Sequence, residues 1–269
     1  MYIDTHCHLN FSAFKDDWQE VADKCVRAGV EKMIVVGADL ATSQKAVEIC
    51  QKHQALFASV GVHPHHAPGE FDLEKLRALA KNKKVVAIGE TGVDYHVYQK
   101  SKYPSTALRI NPEMKTRQKT IFGQQIQLAK ELKLPLIIHN REAGEDTLDV
   151  LDHFSKSDGR YPTGVFHCIS GSRKLLQKIL ALGFYVGVDA NITYSQEVQT
   201  LISDAPLNRI LLETDSPYLM PAPHRAGCGV KNTPQSVTIV AQSIAKIKNL
   251  SESDVAKQTT DNAQRLFKF

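Results

Sequence analysis

The side chains in this sequence best suited to chemistry are histidines and carboxylates that follow short apolar segments. Asp4-Thr5-His6-Cys7-His8 ends the first such segment and contains a His-x-His pair. Later segments are followed by four more candidates: Glu90, His139, His167 and Asp215. Imidazole favours zinc, manganese and similar divalent ions, and carboxylate also admits magnesium. The six residues together predict a metal site, and the sequence does not choose among Mg, Mn and Zn.

Strand geometry predicts the directions in which the two histidines of the His-x-His pair point. Side chains alternate between the two faces of a β-strand, so Asp4, His6 and His8 share one face. Both imidazoles can then meet one metal ion, while Asp4 either orients a ligand or contacts the metal. Cys7 falls on the opposite face, where a small packed side chain is expected.

Eight short β-rich runs alternate with helical patterns along the chain. The predicted strands are Tyr2–Asp4, Lys32–Val36, Phe57–Val60, Val85–Ile88, Leu136–Ile138, Gly164–Phe166, Tyr185–Val188 and Arg209–Leu212. This alternation predicts the α/β class with parallel strands and crossover helices. Eight units and 269 residues favour a (β/α)8 TIM barrel as one domain spanning residues 1–269. An open doubly wound sheet is the alternative. In a barrel all the strand ends meet at one mouth, where the six candidate ligands would converge.

Helix signals support the same reading. Predicted helices lie near Trp18–Ala28, Ala41–Lys52, Leu73–Ala80 and Arg173–Leu182. Asn111-Pro112, Thr233-Pro234 and Ser251 are predicted to begin three others, because these residues favour helix starts. The polar segment Tyr95–Ile110 is long for a connection in a compact domain, and predicts either a lid or a disordered insertion.

Four imidazoles and two carboxylates can hold two divalent ions if one carboxylate bridges them. Two ions roughly 3.5–4 Å apart suit phosphate ester hydrolysis, since one activates a water and the other neutralises phosphoryl charge. A nearby carboxylate can take the proton from that water. His63 and His65 follow the third strand, where His63 either contacts a phosphate or metal-bound water or is an ordinary loop histidine. Arg141 and Arg225 are either phosphate clamps or surface arginines.

Bulk properties set broader limits. The net charge of +4 permits phosphate-rich substrates without requiring them. The five cysteines are scattered without a C-x-x-C pair, which predicts a reducing compartment rather than a disulfide framework. No targeting or membrane-spanning pattern is recognisable. We therefore expect a cytoplasmic protein without a membrane partner, a monomer without an obligate protein partner.

The motifs in combination resemble those of the TatD family of metal-dependent deoxyribonucleases, a branch of the amidohydrolase-type barrels. The resemblance covers essentially the whole chain and rests on six motifs: Asp4–His8, Gly61–His65, Gly89–Tyr95, Leu134–Arg141, Phe166–Gly171 and Leu212–Leu219. It implies that His6, His8, Glu90 and Asp215 hold one metal, and that Glu90, His139 and His167 hold a second.

The resemblance also implies a nuclease that trims 3′ ends of DNA, with single-stranded or damaged DNA as the expected substrate. The predicted catalytic residues are Glu90, Asp215 and His63. The predicted substrate contacts are His63, His65, Arg141 and Arg225.

Three departures from the family pattern concern the substrate rim rather than the ligands. They are the long segment Tyr95–Ile110, Ile169 where Phe is usual, and an altered Pro221–Pro234 stretch. Two alternative functions therefore stay open. One is hydrolysis of another ester or amide, as by an aminoacyl-nucleotide deacylase or a cyclic amidohydrolase, although Glu90 stands where many such barrels carry a carbamylated Lys. The other is a non-catalytic barrel protein.

Overall fold

The computed structural model describes residues 1–69, 71–96, 111–155, 159, 161–223 and 231–269. Within these residues eight strands form one sheet in sequence order, and each strand pairs in parallel with the next. The strands are β1 (Tyr2–Cys7), β2 (Val30–Val36), β3 (Leu56–Val60), β4 (Val85–Asp94), β5 (Leu136–Arg141), β6 (Gly164–Phe166), β7 (Tyr185–Val188) and β8 (Ile210–Leu212).

Bonds between the first and last strand regions close the ring. The Asp215 N–H donates to the His6 carbonyl at 2.8 Å, and the His8 N–H donates to the Ser216 carbonyl at 2.7 Å. The Thr5 hydroxyl adds a bond to the Leu212 carbonyl at 3.0 Å. The predicted (β/α)8 barrel is confirmed.

Helices follow the strands and cover the barrel. In the described part of the chain they are α1 (Trp18–Arg27), α2 (Leu40–Cys50), α3 (Leu73–Ala80), α4 (Pro112–Leu132), α5 (Gly144–Ser155), α6 (Arg173–Ala181), α7 (Gln196–Asp204), α8 (Val237–Lys248) and α9 (Glu252–Phe267). Parallel strands covered in this way are buried on both faces, which explains why they read as continuous apolar runs. No helix among these residues is long and apolar enough to cross a membrane.

Two of the three predicted helix starts are confirmed by their caps. The Asn111 side chain accepts from the Met114 N–H at 2.8 Å, and the Ser251 hydroxyl accepts from the Asp254 N–H at 3.1 Å. At Thr233 the prediction was only approximate, because a short 3-10 turn over Pro234–Ser236 precedes α8 and Thr233 forms no side-chain cap.

Three strands that carry candidate ligands are longer than predicted. β1 continues to Cys7, β4 to Asp94 and β5 to Arg141, so His6, Glu90 and His139 lie within strands rather than after them. The boundary predictions were wrong because they stopped at the first polar residue. Backbone pairing does not depend on side-chain polarity, and Gly92 pairs with His139 in the β4–β5 ladder.

Two sequence predictions concern residues outside the described ranges. The segment predicted as a lid or insertion, Tyr95–Ile110, is described only at Tyr95 and His96. Arg225, a predicted phosphate contact, also lies outside the described residues.

Candidate active site

The six predicted ligands converge at the mouth of the barrel around one carboxylate. Glu90 is buried, and its two oxygens face different histidines. Oε1 lies 2.8 Å from His167 Nε2 and 2.9 Å from His139 Nδ1, whereas Oε2 lies 3.4 Å from His6 Nε2. One oxygen of this carboxylate therefore faces His6 and the other faces His139 and His167, an arrangement that suits a bridging ligand.

The remaining two candidates complete the His6 side. His8 Nε2 lies 3.2 Å from His6 Nε2 and 3.1 Å from Asp215 Oδ1. The same Asp215 oxygen is 3.6 Å from His6 Nε2. On the other side His139 Nδ1 and His167 Nε2 are 3.2 Å apart. Each side therefore brings potential ligand atoms within the spacing of one ion's coordination shell.

Asp4 fixes the loop that carries Asp215. Its Oδ2 accepts from the Thr214 hydroxyl at 2.7 Å, and its Oδ1 accepts from the Thr214 and His6 N–H groups at 3.1 and 3.2 Å. Burial raises the pKa of Asp4 well above its ordinary value. The sequence left Asp4 as an orienting group or a metal contact, and these bonds give it an orienting role.

Hydrogen bonds to the far ring nitrogens select which atoms of two histidines face the centre. His8 Nδ1 lies 3.1 Å from the Val36 carbonyl, which only accepts, so Nδ1 carries the proton and Nε2 keeps its lone pair. His139 Nε2 lies 3.0 Å from Asp94 Oδ2, which leaves Nδ1 towards Glu90. Both rings are therefore held in the tautomer that a metal ligand requires.

His63 has the opposite arrangement. Its Nδ1 accepts from the His65 N–H at 3.1 Å, so in the neutral ring Nε2 carries the proton, 3.4 Å from Glu90 Oε1. Burial lowers the pKa of His63 well below its ordinary value, which keeps the ring neutral. His63 does lie close enough to Glu90 and His139 to share an ion with them. Its tautomer instead makes it a hydrogen-bond donor at the mouth.

Asp94 is a central residue that the sequence analysis did not assign. It is fully buried, and its Oδ2 accepts from His65 Nε2 at 2.8 Å as well as from His139. Burial raises the pKa of this carboxyl, but the two imidazoles outweigh burial and hold the pKa below its ordinary value. The available signal was spacing, because residues 90, 92 and 94 of one strand share a face.

A second unassigned carboxylate lies behind His167. Glu213 is buried, accepts from the Cys168 N–H at 2.5 Å and lies 3.6 Å from His167 Nδ1, beyond hydrogen-bond length. Together with His6 and His167 it forms another group whose ligand atoms lie within reach of one ion. A Cβ at Gly187 would stand 2.2 Å from Glu213 Oε2, so only glycine leaves room for this carboxylate.

Buried glutamines of α4 tie the loop after β3 to β4. Gln125 accepts from the Val62 N–H at 2.8 Å and donates to the Thr91 hydroxyl at 2.7 Å. Gln118 accepts from the Asp94 N–H at 3.0 Å. The loop bearing His63 is thus fixed relative to the strand bearing Glu90 and Asp94.

The charge balance of the site favours bound cations. Burial raises the pKa of both Glu90 and Asp215, yet neighbouring imidazoles hold each pKa below its ordinary value. Burial lowers the pKa of His139 and His167, but the carboxylates beside them raise each pKa above the ordinary value. Protons on the imidazoles thus balance the buried carboxylates, and metal ions compete with protons for such ligands. The donor set therefore fits divalent ions.

Two of the predicted substrate contacts, His65 and Arg141, are more exposed than the proposed metal ligands. The His65 side chain is 32% exposed at the mouth, while its Nε2 is held by Asp94. Arg141 ends β5 two residues after His139 and is exposed. Both therefore stand at the edge of the buried cluster, where an incoming substrate would meet them.

Comparison with known proteins gives consistent matches over the full length. The family model described as "TatD related DNase" matches residues 3–268. The chain is 37% identical to the "Uncharacterized metal-dependent hydrolase YabD" of Bacillus subtilis over 273 residues, covering 100% of this chain and 99% of that protein. It is 32% identical to the "3'-5' ssDNA/RNA exonuclease TatD" of Erwinia tasmaniensis, covering 98% and 99%. The crystal structure of the TatD homologue YJJV from Escherichia coli superposes with a TM-score of 0.86 at 27% identity, covering 100% and 98%.

Proposed function

The chain belongs to the TatD-related DNase family of metal-dependent hydrolases, and from that premise we propose that it is an exonuclease acting on the 3′ end of single-stranded or damaged DNA. The observation that carries the proposal is the Glu90 carboxylate, whose Oε2 faces His6 while its Oε1 faces His139 and His167. The name of the Erwinia tasmaniensis relative supports the direction of cleavage.

The proposal includes two divalent ions that share Glu90. His6, His8 and Asp215 would hold one, and His139 and His167 would hold the other. Such ions supply an activated water and neutralise charge on the phosphoryl oxygens. Four of the six ligands are buried, the other two are half-buried, and all six are carried by or closely follow strands of the barrel, so the site is shaped before substrate arrives.

The chain's own side chains carry the proton and binding steps. Glu90 fixes the two ligand groups relative to each other. The Asp215 side chain is 17% exposed, against 6% for Glu90, and its lowered pKa keeps it ionised, so it can accept a proton at the open side of the site. His63 offers its Nε2 proton to a phosphoryl oxygen. His65, Arg141 and Arg225 contact the phosphates of the strand.

The deciding experiment uses metal-stripped protein reloaded with Mg²⁺, Mn²⁺ or Zn²⁺ and a 5′-labelled single-stranded DNA. We expect a ladder of products shortened from the 3′ end, and loss of that ladder in Glu90→Gln. Glu145→Gln is the matched control, since Glu145 is exposed and pairs with Lys178 on the outer helices.

Parallel reactions with aminoacyl-nucleotide esters and cyclic amides test the alternative hydrolases. Absence of DNA cleavage with every metal would contradict the proposal, and so would a Glu90→Gln variant as active as the wild type. Hydrolysis of an ester or amide alone would move the chain to that branch. Absence of all hydrolysis would support a non-catalytic barrel.

A further inference from the structure

An exposed aromatic ring stands beside the buried ligand cluster. Tyr218 is 53% exposed. Four large hydrophobic residues are exposed in the described part of the chain, and Tyr218 is the only aromatic one among them. The others are Met1, Val26 and Leu250. The place of Tyr218 beside the cluster, where a substrate would arrive, indicates a contact surface for that substrate.

The position of the ring relates it directly to a proposed ligand. The Tyr218 and His8 ring centroids are 6.2 Å apart with the planes at 66°. Phe11 stacks on His8 at 4.3 Å and 18°, and meets Tyr218 edge-on at 6.5 Å. The three rings form an aromatic wall on the His8 side of the site, with Tyr218 as its exposed end.

The backbone under Tyr218 is held in place. Its N–H donates to the Asp215 carbonyl at 2.9 Å. The buried Asn232 side chain donates to the Tyr218 carbonyl at 2.8 Å and to the Thr214 carbonyl at 3.1 Å. An aromatic side chain on a fixed backbone loses little conformational entropy when a ligand covers it.

When the scissile phosphodiester lies beside Glu90 and Asp215, the bases of the nucleotides on either side of it lie at the rim of the barrel mouth. The bases of a single strand are free to stack, and aromatic side chains bind them without sequence preference because every base has a π face. We propose that Tyr218 is a stacking platform for the nucleobase of a nucleotide flanking the scissile phosphate of a single-stranded nucleic acid. This inference rests on the proposed function.

The test removes the base and the ring separately and together. A set of single-stranded oligonucleotides carries one tetrahydrofuran residue, which lacks a base, at each of the last three positions in turn. With wild-type protein we expect removal of the base at one position to lower kcat/KM by about 5- to 150-fold. In Tyr218→Ala that base effect should fall below about twofold, and in Tyr218→Phe it should persist.

Tyr218→Leu distinguishes base stacking from nonspecific apolar contact, because leucine keeps an apolar side chain beside His8 but has no aromatic face. With metal content and thermal midpoint retained, loss of the base effect in this variant supports the platform. A base effect that persists in Tyr218→Leu overturns it, as does a wild type indifferent to base removal at all three positions.

Fluorescence anisotropy measures binding of the same oligonucleotides to protein from which the metals have been removed. This second measurement distinguishes failure of the stacking proposal from failure of the exonuclease proposal. A base effect on binding that depends on Tyr218, in protein that still cleaves no DNA after reloading with Mg²⁺, Mn²⁺ or Zn²⁺, retains the platform and rejects the exonuclease. Cleavage with no Tyr218-dependent base effect retains the exonuclease and rejects the platform.

Discussion

Replacement of Asp94 by Asn tests whether this buried carboxylate positions the proposed metal-binding histidines. Its Oδ2 accepts from His139 Nε2 at 3.0 Å and His65 Nε2 at 2.8 Å, and its Oδ1 accepts from the His96 N–H at 2.8 Å. Asn has the same shape but presents a donor on one side. In either orientation of the carboxamide, an N–H therefore meets another N–H.

The magnitude follows from those contacts. A hydrogen bond to a charged group contributes about 1.5–3 kcal/mol, and Asn removes the charge and at least one such bond. That range corresponds to roughly 10- to 150-fold. It agrees with the 10- to 100-fold loss of metal affinity or activity that is usual when a ligand loses its outer partner. We expect the metal affinity of the His139 side to fall by about 10- to 100-fold.

The assay is a titration of metal-stripped protein against a competing chromophoric chelator, followed by kcat/KM for DNA at fixed free metal. Asp152→Asn is the control, because Asp152 lies on the outer helix α5 and accepts a hydrogen bond from the Tyr161 hydroxyl at 2.6 Å. Unchanged metal affinity in Asp94→Asn, within about twofold of both wild type and control, would refute the positioning role.

Three further predictions test the surrounding structure. Gly92→Ala should lose metal binding and lower the thermal midpoint, because Gly92 has φ 147° and its Cβ would stand 1.9 Å from the His139 carbonyl oxygen; normal metal content in the variant contradicts this. Gln125→Leu should lower the free energy of unfolding by about 1–3 kcal/mol per polar group left unpaired, starting with the Val62 N–H, in denaturant titrations; a stability equal to the wild type contradicts it. Burial raises the pKa of Asp189 to about 7, so its ionised form is disfavoured in the fold. The resulting penalty is absent below the unfolded pKa of about 3.9 and grows as pH rises towards 7. Asp189→Asn should therefore gain about 3 kcal/mol relative to wild type between pH 5 and pH 8 in metal-free protein, and a pH-independent difference contradicts this.

The barrel and the convergence of the six candidate residues at its mouth were accessible to sequence reasoning because they depend on local patterns. Each apolar run marks a buried parallel strand, and a His or carboxylate at its carboxyl end falls at the mouth. The strand ends themselves were less accessible. Glu90 and His139 are polar yet lie within β4 and β5, and His139 pairs with Gly92 of the neighbouring strand, so backbone pairing rather than side-chain polarity sets the boundary.

The supporting residues depend on contacts between distant parts of the chain. Gln118 and Gln125 lie on the same face of α4 as buried apolar residues. The sequence pattern predicts that these polar side chains are buried, but it does not predict their hydrogen-bond partners. Glu213 directly follows β8, so its place at the mouth was predictable, but its approach to His167 of another strand region was not. The donor role of His63 depends on its bond with the His65 N–H, a detail of loop geometry.

Diffraction from a crystal soaked with Mn²⁺ tests directly whether Glu90 bridges two metal ions at the mouth. We expect two anomalous peaks on opposite sides of the Glu90 carboxylate, one beside His6, His8 and Asp215 and the other beside His139 and His167. The absence of both peaks, or a peak bound by His63 or Glu213 in place of these ligands, would contradict this bridging role.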